Sequence, residues 1–144
     1  MGRGFTLPEL IAVLLILGVL SIVAVPRFWG SEYDEGRLYD ETTAALRFAQ
    51  KSAVAMQRTV CVAFTATSVT LSYDANYGTA ACTVDLPGPG GAAAPYTVSA
   101  QGTASFAPLP TNFHFDRLGR ASLPQTITAG GRAIVVEGES GYVH

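Results

Sequence analysis

The sequence predicts an α+β fold in which a long hydrophobic N-terminal helix packs on a C-terminal antiparallel β domain, built as two sheets or as one partly rolled sheet. An uncharged apolar run near the amino terminus, followed by apolar residues that recur every three or four positions, indicates the helical part. The remainder alternates with a period of two in short segments, which is typical of strands. A length of 144 residues fits one compact domain with an appendage.

The apolar run is long enough to predict a membrane-spanning helix. Residues 10–25 carry no charge, and from Phe5 onward the run has 21 residues with Glu9 as its only ionisable side chain. At ~1.5 Å per residue this length covers roughly 31 Å, close to the hydrocarbon thickness of a bilayer. A cleaved secretory signal fits poorly because Glu9 opens the apolar stretch. A plain anchor leaves Glu9 unexplained, since an intramembrane carboxylate costs about 2.5–3.5 kcal/mol at a helix centre.

Residues 4–10, GFTLPEL, account for the whole pattern, because the string resembles the type III signal of type IV pilins and type II secretion pseudopilins. In that family the prepilin peptidase cuts after the glycine, here Gly4, and N-methylates the new terminus, here Phe5. The resemblance implies that Glu9 acts in assembly, with its carboxylate meeting the cationic amine of a neighbouring subunit. The alternative is that Glu9 only snorkels to the membrane interface.

The chain after the apolar run divides into a second helical part and a β-rich part. Pro26 is expected to bend or interrupt the helix, and the acidic, glycine-punctuated segment 30–36 is expected to hold a break or a loosened turn between the two helical parts. An amphipathic helix is predicted from roughly Tyr39 to Met56, packed on a sheet, and Arg37 is placed to pair with Glu41. The resulting division is a leader at 1–4, a transmembrane and polymerisation helix at 5–28, a periplasmic amphipathic helix at 29–57 and a β-rich domain at 58–144.

Strand patterns fill the last of these segments. Residues 59–64 and 68–73 predict a hairpin that turns at 65–67. The low-complexity stretch 86–95 is expected to be an exposed loop. Further candidate strands are residues 96–100, 112–115, 126–128, 132–137 and 141–144.

Two phrases of the β-rich segment resemble the GspH/FimT group of minor pilins and pseudopilins. Residues 113–120, FHFDRLGR, are similar to the F-x-F-D/N-x-x-G-R hairpin of that group. The ending at residues 134–144, IVVEGESGYVH, is similar to its closing strands and most resembles MshC-type minor pilins. The one long N-terminal helix followed by strands is also the order of elements in this group.

The cysteines and the one internal histidine are the candidates for site chemistry. Cys61 and Cys82 are expected to form one disulfide in an oxidising periplasm, worth about 3 kcal/mol, with two buried free thiols as the alternative. A metal site that uses His114 matches no known ligand spacing. His114 and Asp116 share a strand face, but alternating phenylalanines and the lack of a nucleophile argue against catalysis. We expect no catalytic, cofactor or metal site, and we expect Gly119 to provide a positive φ in a turn.

These features predict a structural subunit, a minor pilin or pseudopilin of a type IV pilus or type II secretion system, and not an enzyme. Its expected partners are other pilins or pseudopilins through the N-terminal helix, the prepilin peptidase, the inner-membrane assembly platform and inner-membrane lipid. The expected localisation is the bacterial inner membrane, with the C-terminal domain in the periplasm, and then the pilus or pseudopilus.

Two alternatives come from other classes of protein. One is a FimT-like DNA-binding minor pilin, whose arginine-rich loop is reduced here to Arg132. DNA is not an expected partner, because nine basic against eleven acidic residues give a net charge of −2. The other alternative is a signal-anchored periplasmic enzyme.

Overall fold

The computed structural model describes residues 6–28, 30–77 and 81–144. The chain divides into two compact units, Met1–Gly30 and Ser31–His144. The α-helices of the described residues are α1 (Leu7–Phe28) and α2 (Ser31–Met56), and a short 3-10 helix spans Pro89–Gly91. The strands are β1 (Val60–Phe64), β2 (Ser68–Asp74), β3 (Cys82–Asp85), β4 (Tyr96–Ser99), β5 (Phe113–Phe115), β6 (Gln125–Ala129) and β7 (Arg132–Val136).

The described part of the first unit is the helix α1. It begins at Leu7, because the Thr6 carbonyl oxygen accepts hydrogen bonds from the N–H groups of Glu9 and Leu10 at 3.1 and 3.2 Å. Pro8 is tolerated in this first turn, where its missing N–H has no helical partner to lose. The helix continues to Phe28.

The second unit is built around one face of α2. Strands from both sheets join this face in a single hydrophobic core. The exposed and charged positions of α2 lie between the buried ones, which allows the helix to cover the sheets and still meet water. The α2 residues in the core are Leu38, Ala45, Leu46, Ala49 and Ala53, each no more than 1% exposed.

The strands form an antiparallel five-stranded sheet and a two-stranded sheet. The first has the order β3-β2-β1-β5, and β4 also pairs with β2. The second consists of β6 and β7. The predicted hairpin is confirmed as β1 and β2, with Val62 opposite Leu71. A short bridge, Phe106 to Ala129, joins the end of β6 to the preceding loop.

The predicted fold class is wrong in its helical part. The sequence predicted that a long hydrophobic N-terminal helix packs on the β domain, whereas the first helix, α1, is short and its described side chains are exposed. The helix that packs on the sheets is α2, because only a helix with separate apolar and polar faces can bury one side against a sheet. In α1 the described side chains, residues 7–21, are exposed instead.

The membrane-spanning prediction and several boundaries also differ from the structure. Over the described ranges, no helix has the length and hydropathy required to cross a membrane. In the segment 30–36, where the sequence indicated a break or a loosened turn, Gly30 is a bend, and α2 runs without interruption from Ser31 through Gly36. Residues 82–85 form β3, which the sequence pattern did not predict. Residues 141–144 are not a strand but join β7 through a Val136–Val143 bridge.

Candidate functional site

The first unit exposes a set of apolar side chains on all sides of α1, here called the α1 apolar surface. Helices that are apolar on all sides are normally buried in other apolar material. Here every described side chain of the helix is exposed. The large members of the surface are Leu7, Leu10, Ile11, Val13, Leu14, Leu15, Ile16, Leu17, Val19 and Leu20, which are 47–74% exposed.

The described polar groups on α1 are few, and their positions cost little free energy. Glu9 is exposed in the first turn, where a carboxylate interacts favourably with the positive end of the helix dipole. The Ser21 hydroxyl donates to the Leu17 carbonyl oxygen at 2.7 Å, so it does not compete with the apolar character of the helix. Gly4 and Phe5 lie outside the described residues, and the cleavage site and its amine therefore stay predictions.

The predicted disulfide between Cys61 and Cys82 is confirmed, with a Cα–Cα distance of 6.1 Å. The bond links β1 to β3, which both pair with β2 and not with each other. It therefore ties together three strands at the end of the sheet where the β2–β3 register shifts. A disulfide of this kind is compatible with an oxidising compartment such as the periplasm.

Asp116 organises the turn after β5. Its Oδ1 accepts hydrogen bonds from the N–H groups of Leu118 and Arg120, both at 2.9 Å, and its Oδ2 accepts from the Arg120 guanidinium at 2.8 Å. Partial burial raises the pKa of Asp116, but the hydrogen bonds from Arg120 and Leu118 lower it by more, so its pKa lies below the ordinary value. The expected positive φ of Gly119 is confirmed at 81°.

The backbone of His114 pairs with Ser122. Its N–H donates to the Ser122 hydroxyl at 3.0 Å, and its carbonyl oxygen accepts from the Ser122 N–H at 2.9 Å. Within the described chain, no hydrogen bond or ion pair joins the His114 imidazole to the Asp116 carboxylate, although both residues line one cavity.

Two side chains of α2 form hydrogen bonds with the carboxyl-terminal segment. Arg47 donates two hydrogen bonds to the Val143 carbonyl oxygen, at 3.1 and 3.2 Å. Gln50 donates to the carbonyl oxygens of Gly119 and Ser140, at 3.2 and 2.9 Å. The sequence predicted none of these contacts, because the partners lie 69 to 96 residues apart.

A basic cleft of about 320 Å³ lies beyond the carboxyl end of α2 and is here called the Arg58 cleft. Arg58 donates to the carbonyl oxygens of Asp74 and Ala75 at 3.3 and 2.6 Å, and its guanidinium lies 4.6 Å from the centre of the Tyr77 ring. Arg117 and Arg120 enter from the turn after β5. No local motif in the sequence indicated this cleft.

Arg132, the one arginine that remains of the DNA-binding loop pattern, is already engaged. Its guanidinium lies 3.8 Å from the centre of the Tyr39 ring, a cation–π contact between β7 and α2. This contact links the β6–β7 hairpin to α2.

Other site chemistry has little support within the described ranges. No group of three histidine, cysteine, aspartate or glutamate residues is arranged to hold a metal ion there. Neither a family model, nor a curated protein, nor a solved structure matches this chain. Among the described surfaces, the α1 apolar surface is the strongest candidate for function, because it exposes ten large apolar side chains.

Proposed function

We propose that this chain is a structural subunit of the pilin or pseudopilin type, which assembles with other subunits through α1. The observation that carries the proposal is the α1 apolar surface, in which large side chains at all angles around the helix are about half to three-quarters exposed. Burying one such side chain contributes roughly 1.5–3 kcal/mol, so ten of them provide a strong drive toward apolar partners. Helices of neighbouring subunits offer such partners on every side at once.

The amino-terminal string supports the same proposal from the sequence. Residues 4–10 resemble the signal that prepilin peptidase cuts, and cleavage after Gly4 would leave a cationic amine on Phe5. The Glu9 carboxylate would then meet the amine of a neighbouring subunit, so that assembly neutralises both charges inside the helix bundle. The proposed localisation is the inner membrane and then the fibre, with the disulfide-bonded domain in the periplasm.

A fibre-incorporation assay with Glu9 variants tests the proposal. We expect Glu9→Ala and Glu9→Gln to lower the amount of protein in sheared fibres, relative to the amount in the cell membrane, by roughly tenfold, since one unpaired charge costs more than 1.4 kcal/mol. Intact-mass analysis should show that wild type and both variants begin with methylated Phe5.

The matched control is Glu139→Gln, which removes an exposed acid from the second unit and should leave the ratio unchanged. Two results would contradict the proposal. One is retention of Met1 in a host that has the peptidase, and the other is a fibre-to-membrane ratio for Glu9→Ala equal to that of the control.

A further inference from the structure

The two ends of α2 carry opposite charge. Residues 32–41, here called the acidic end, hold five acidic side chains and one arginine. The Arg58 cleft at the other end is lined by three arginines and two aspartates. Because α2 is one continuous helix, about 20 residues at ~1.5 Å each separate these features by roughly 30 Å.

The Arg58 cleft has a surplus of positive charge that its own aspartates do not cancel. Asp116 is bound to Arg120, and two aspartates against three arginines leave one positive charge in excess. Arg117 is exposed and has no hydrogen bond or ion pair with any described residue. The Tyr77 ring beside it is 73% exposed. The cleft therefore presents a free cation next to an uncovered aromatic face, a combination enriched at protein interfaces.

The acidic end has the matching properties. Glu32 and Asp40 are exposed and line a groove of about 360 Å³ along the helix. The Tyr33 ring at its side is 72% exposed. Arg37, the one cation of this stretch, is already paired with Glu41 at 2.7 Å, which confirms the predicted pair and leaves the neighbouring carboxylates unneutralised.

We propose that the Arg58 cleft binds the acidic end of α2 from a second copy of this chain. The rigid separation of the two features prevents one helix from filling its own cleft, so the contact must form between molecules. A contact between two different surfaces of identical chains is heterologous and, if it does not close into a ring, generates a filament. The inference rests on the proposed assembly function and names a second contact for it, outside α1.

The surroundings of the cleft restrict how the partner enters. Glu137 and Glu139 line a neighbouring cavity that shares Arg120 and Asp116 with the Arg58 cleft. These carboxylates would repel an acidic helix end approaching from the Arg120 side. The incoming carboxylates are therefore directed to Arg117 and Arg58.

Zero-length crosslinking tests the contact directly. The full chain, in a nonionic detergent that covers the α1 apolar surface, carries Arg117→Lys, which keeps the charge and introduces an amine. Carbodiimide treatment should join position 117 of one molecule to an acidic residue at 32–41 of another, identified by mass spectrometry of the dimer band. The matched control, Thr126→Lys on the exposed surface of β6, should give no such link. A dimer band without any 117-to-32–41 peptide, or the absence of a dimer band, overturns the proposal.

Charge reversal gives an independent test with a rescue. Arg117→Glu or Glu32→Arg alone should weaken self-association of the detergent-solubilised chain by roughly tenfold at low salt, because like charges then face each other. An equimolar mixture of the two variants should restore wild-type association, since every contact pairs opposite charges again. Failure of the mixture to recover overturns this contact but leaves the α1 proposal standing. The fibre assay with Glu9→Ala can fail while these results hold, so the two proposals are distinguishable.

Discussion

The two long helices of this protein are similar in length but differ in charge and in the burial of their side chains. α1 has 22 residues, of which two are charged, and its described side chains are exposed on all sides. α2 has 26 residues, of which eight are charged, yet several of its side chains are completely buried. The helix with fewer apolar residues is thus the one whose side chains take part in the hydrophobic core.

The difference lies in how the apolar residues are distributed. In α2 the apolar residues recur every three or four positions. One face is therefore excluded from water where it packs on the sheets, and the opposite face stays solvated. In α1 they occupy every angle, so a single flat sheet could cover only part of them. Water contact with an apolar surface of this kind is unfavourable, and the proposed assembly would remove it by surrounding α1 with helices of other subunits.

The largest expected effect comes from disrupting the contact between α2 and the carboxyl-terminal segment. Gly141 has a φ of 62°, and a Cβ atom at this position would collide with the Gly119 carbonyl oxygen and approach the Gln50 amide. We expect Gly141→Ala to lower the free energy of unfolding by about 4 kcal/mol, from steric overlap and the left-handed backbone together. Urea unfolding followed by circular dichroism measures it.

Gly131→Ala is the control for Gly141→Ala. Gly131 has a φ of 73°, but a Cβ atom there would meet nothing within 4 Å. This substitution isolates the backbone contribution and should cost only about 1 kcal/mol. Equal losses for the two variants would show that the carboxyl-terminal segment does not press against the Gly119 turn.

The second prediction compares the same substitution in each helix. Leu46 in α2 is 0% exposed, whereas Leu14 in α1 is 60% exposed. Leu46→Ala should lower the free energy of unfolding of the second unit by about 3 kcal/mol through lost burial and a cavity. Leu14→Ala should change it by less than about 0.5 kcal/mol and reduce fibre incorporation instead. A reversal of these two outcomes, measured by urea unfolding and by the fibre assay, would contradict the distinction between the helices.

The smallest effect concerns the turn that α2 holds through Gln50. The pKa of Asp116 is lowered in the folded state, so its carboxylate stabilises the fold above its unfolded pKa of about 3.9. This stabilisation is lost as the pH falls through the lowered folded pKa. Asp116→Asn should therefore cost about 1 kcal/mol near pH 6 and progressively less below about pH 4. A cost that does not vary with pH would indicate that the charge of Asp116 is irrelevant.

Local patterns in the sequence were sufficient for much of the second unit. The spacing of Leu38, Leu46 and Ala53 identified the buried face of α2, and alternation identified the β1–β2 hairpin. The pairing of Cys61 with Cys82 followed from there being two cysteines and an expected oxidising compartment. Each of these inferences needs only neighbours along the chain or a count of residues.

The remaining features depend on residues that are distant in sequence. Arg58 and Arg117 meet in one cleft only because β1 and β5 are adjacent in the sheet, which no periodicity specifies. The contacts of Gln50 with Gly119 and Ser140 have the same origin.

The sequence by itself determined which segments are apolar, amphipathic or alternating, because these properties are set by side-chain chemistry at short spacing. Only the tertiary structure decided that Arg47 and Gln50 of α2 bind the carboxyl-terminal segment and that three arginines converge beyond the end of α2. The physical reason is that these contacts join residues far apart in sequence, which come together only when the strands pair and α2 packs on them. An apolar face on one side of a helix can be read from residue spacing, whereas the residues that cover it, or bind at its end, are brought together only by folding.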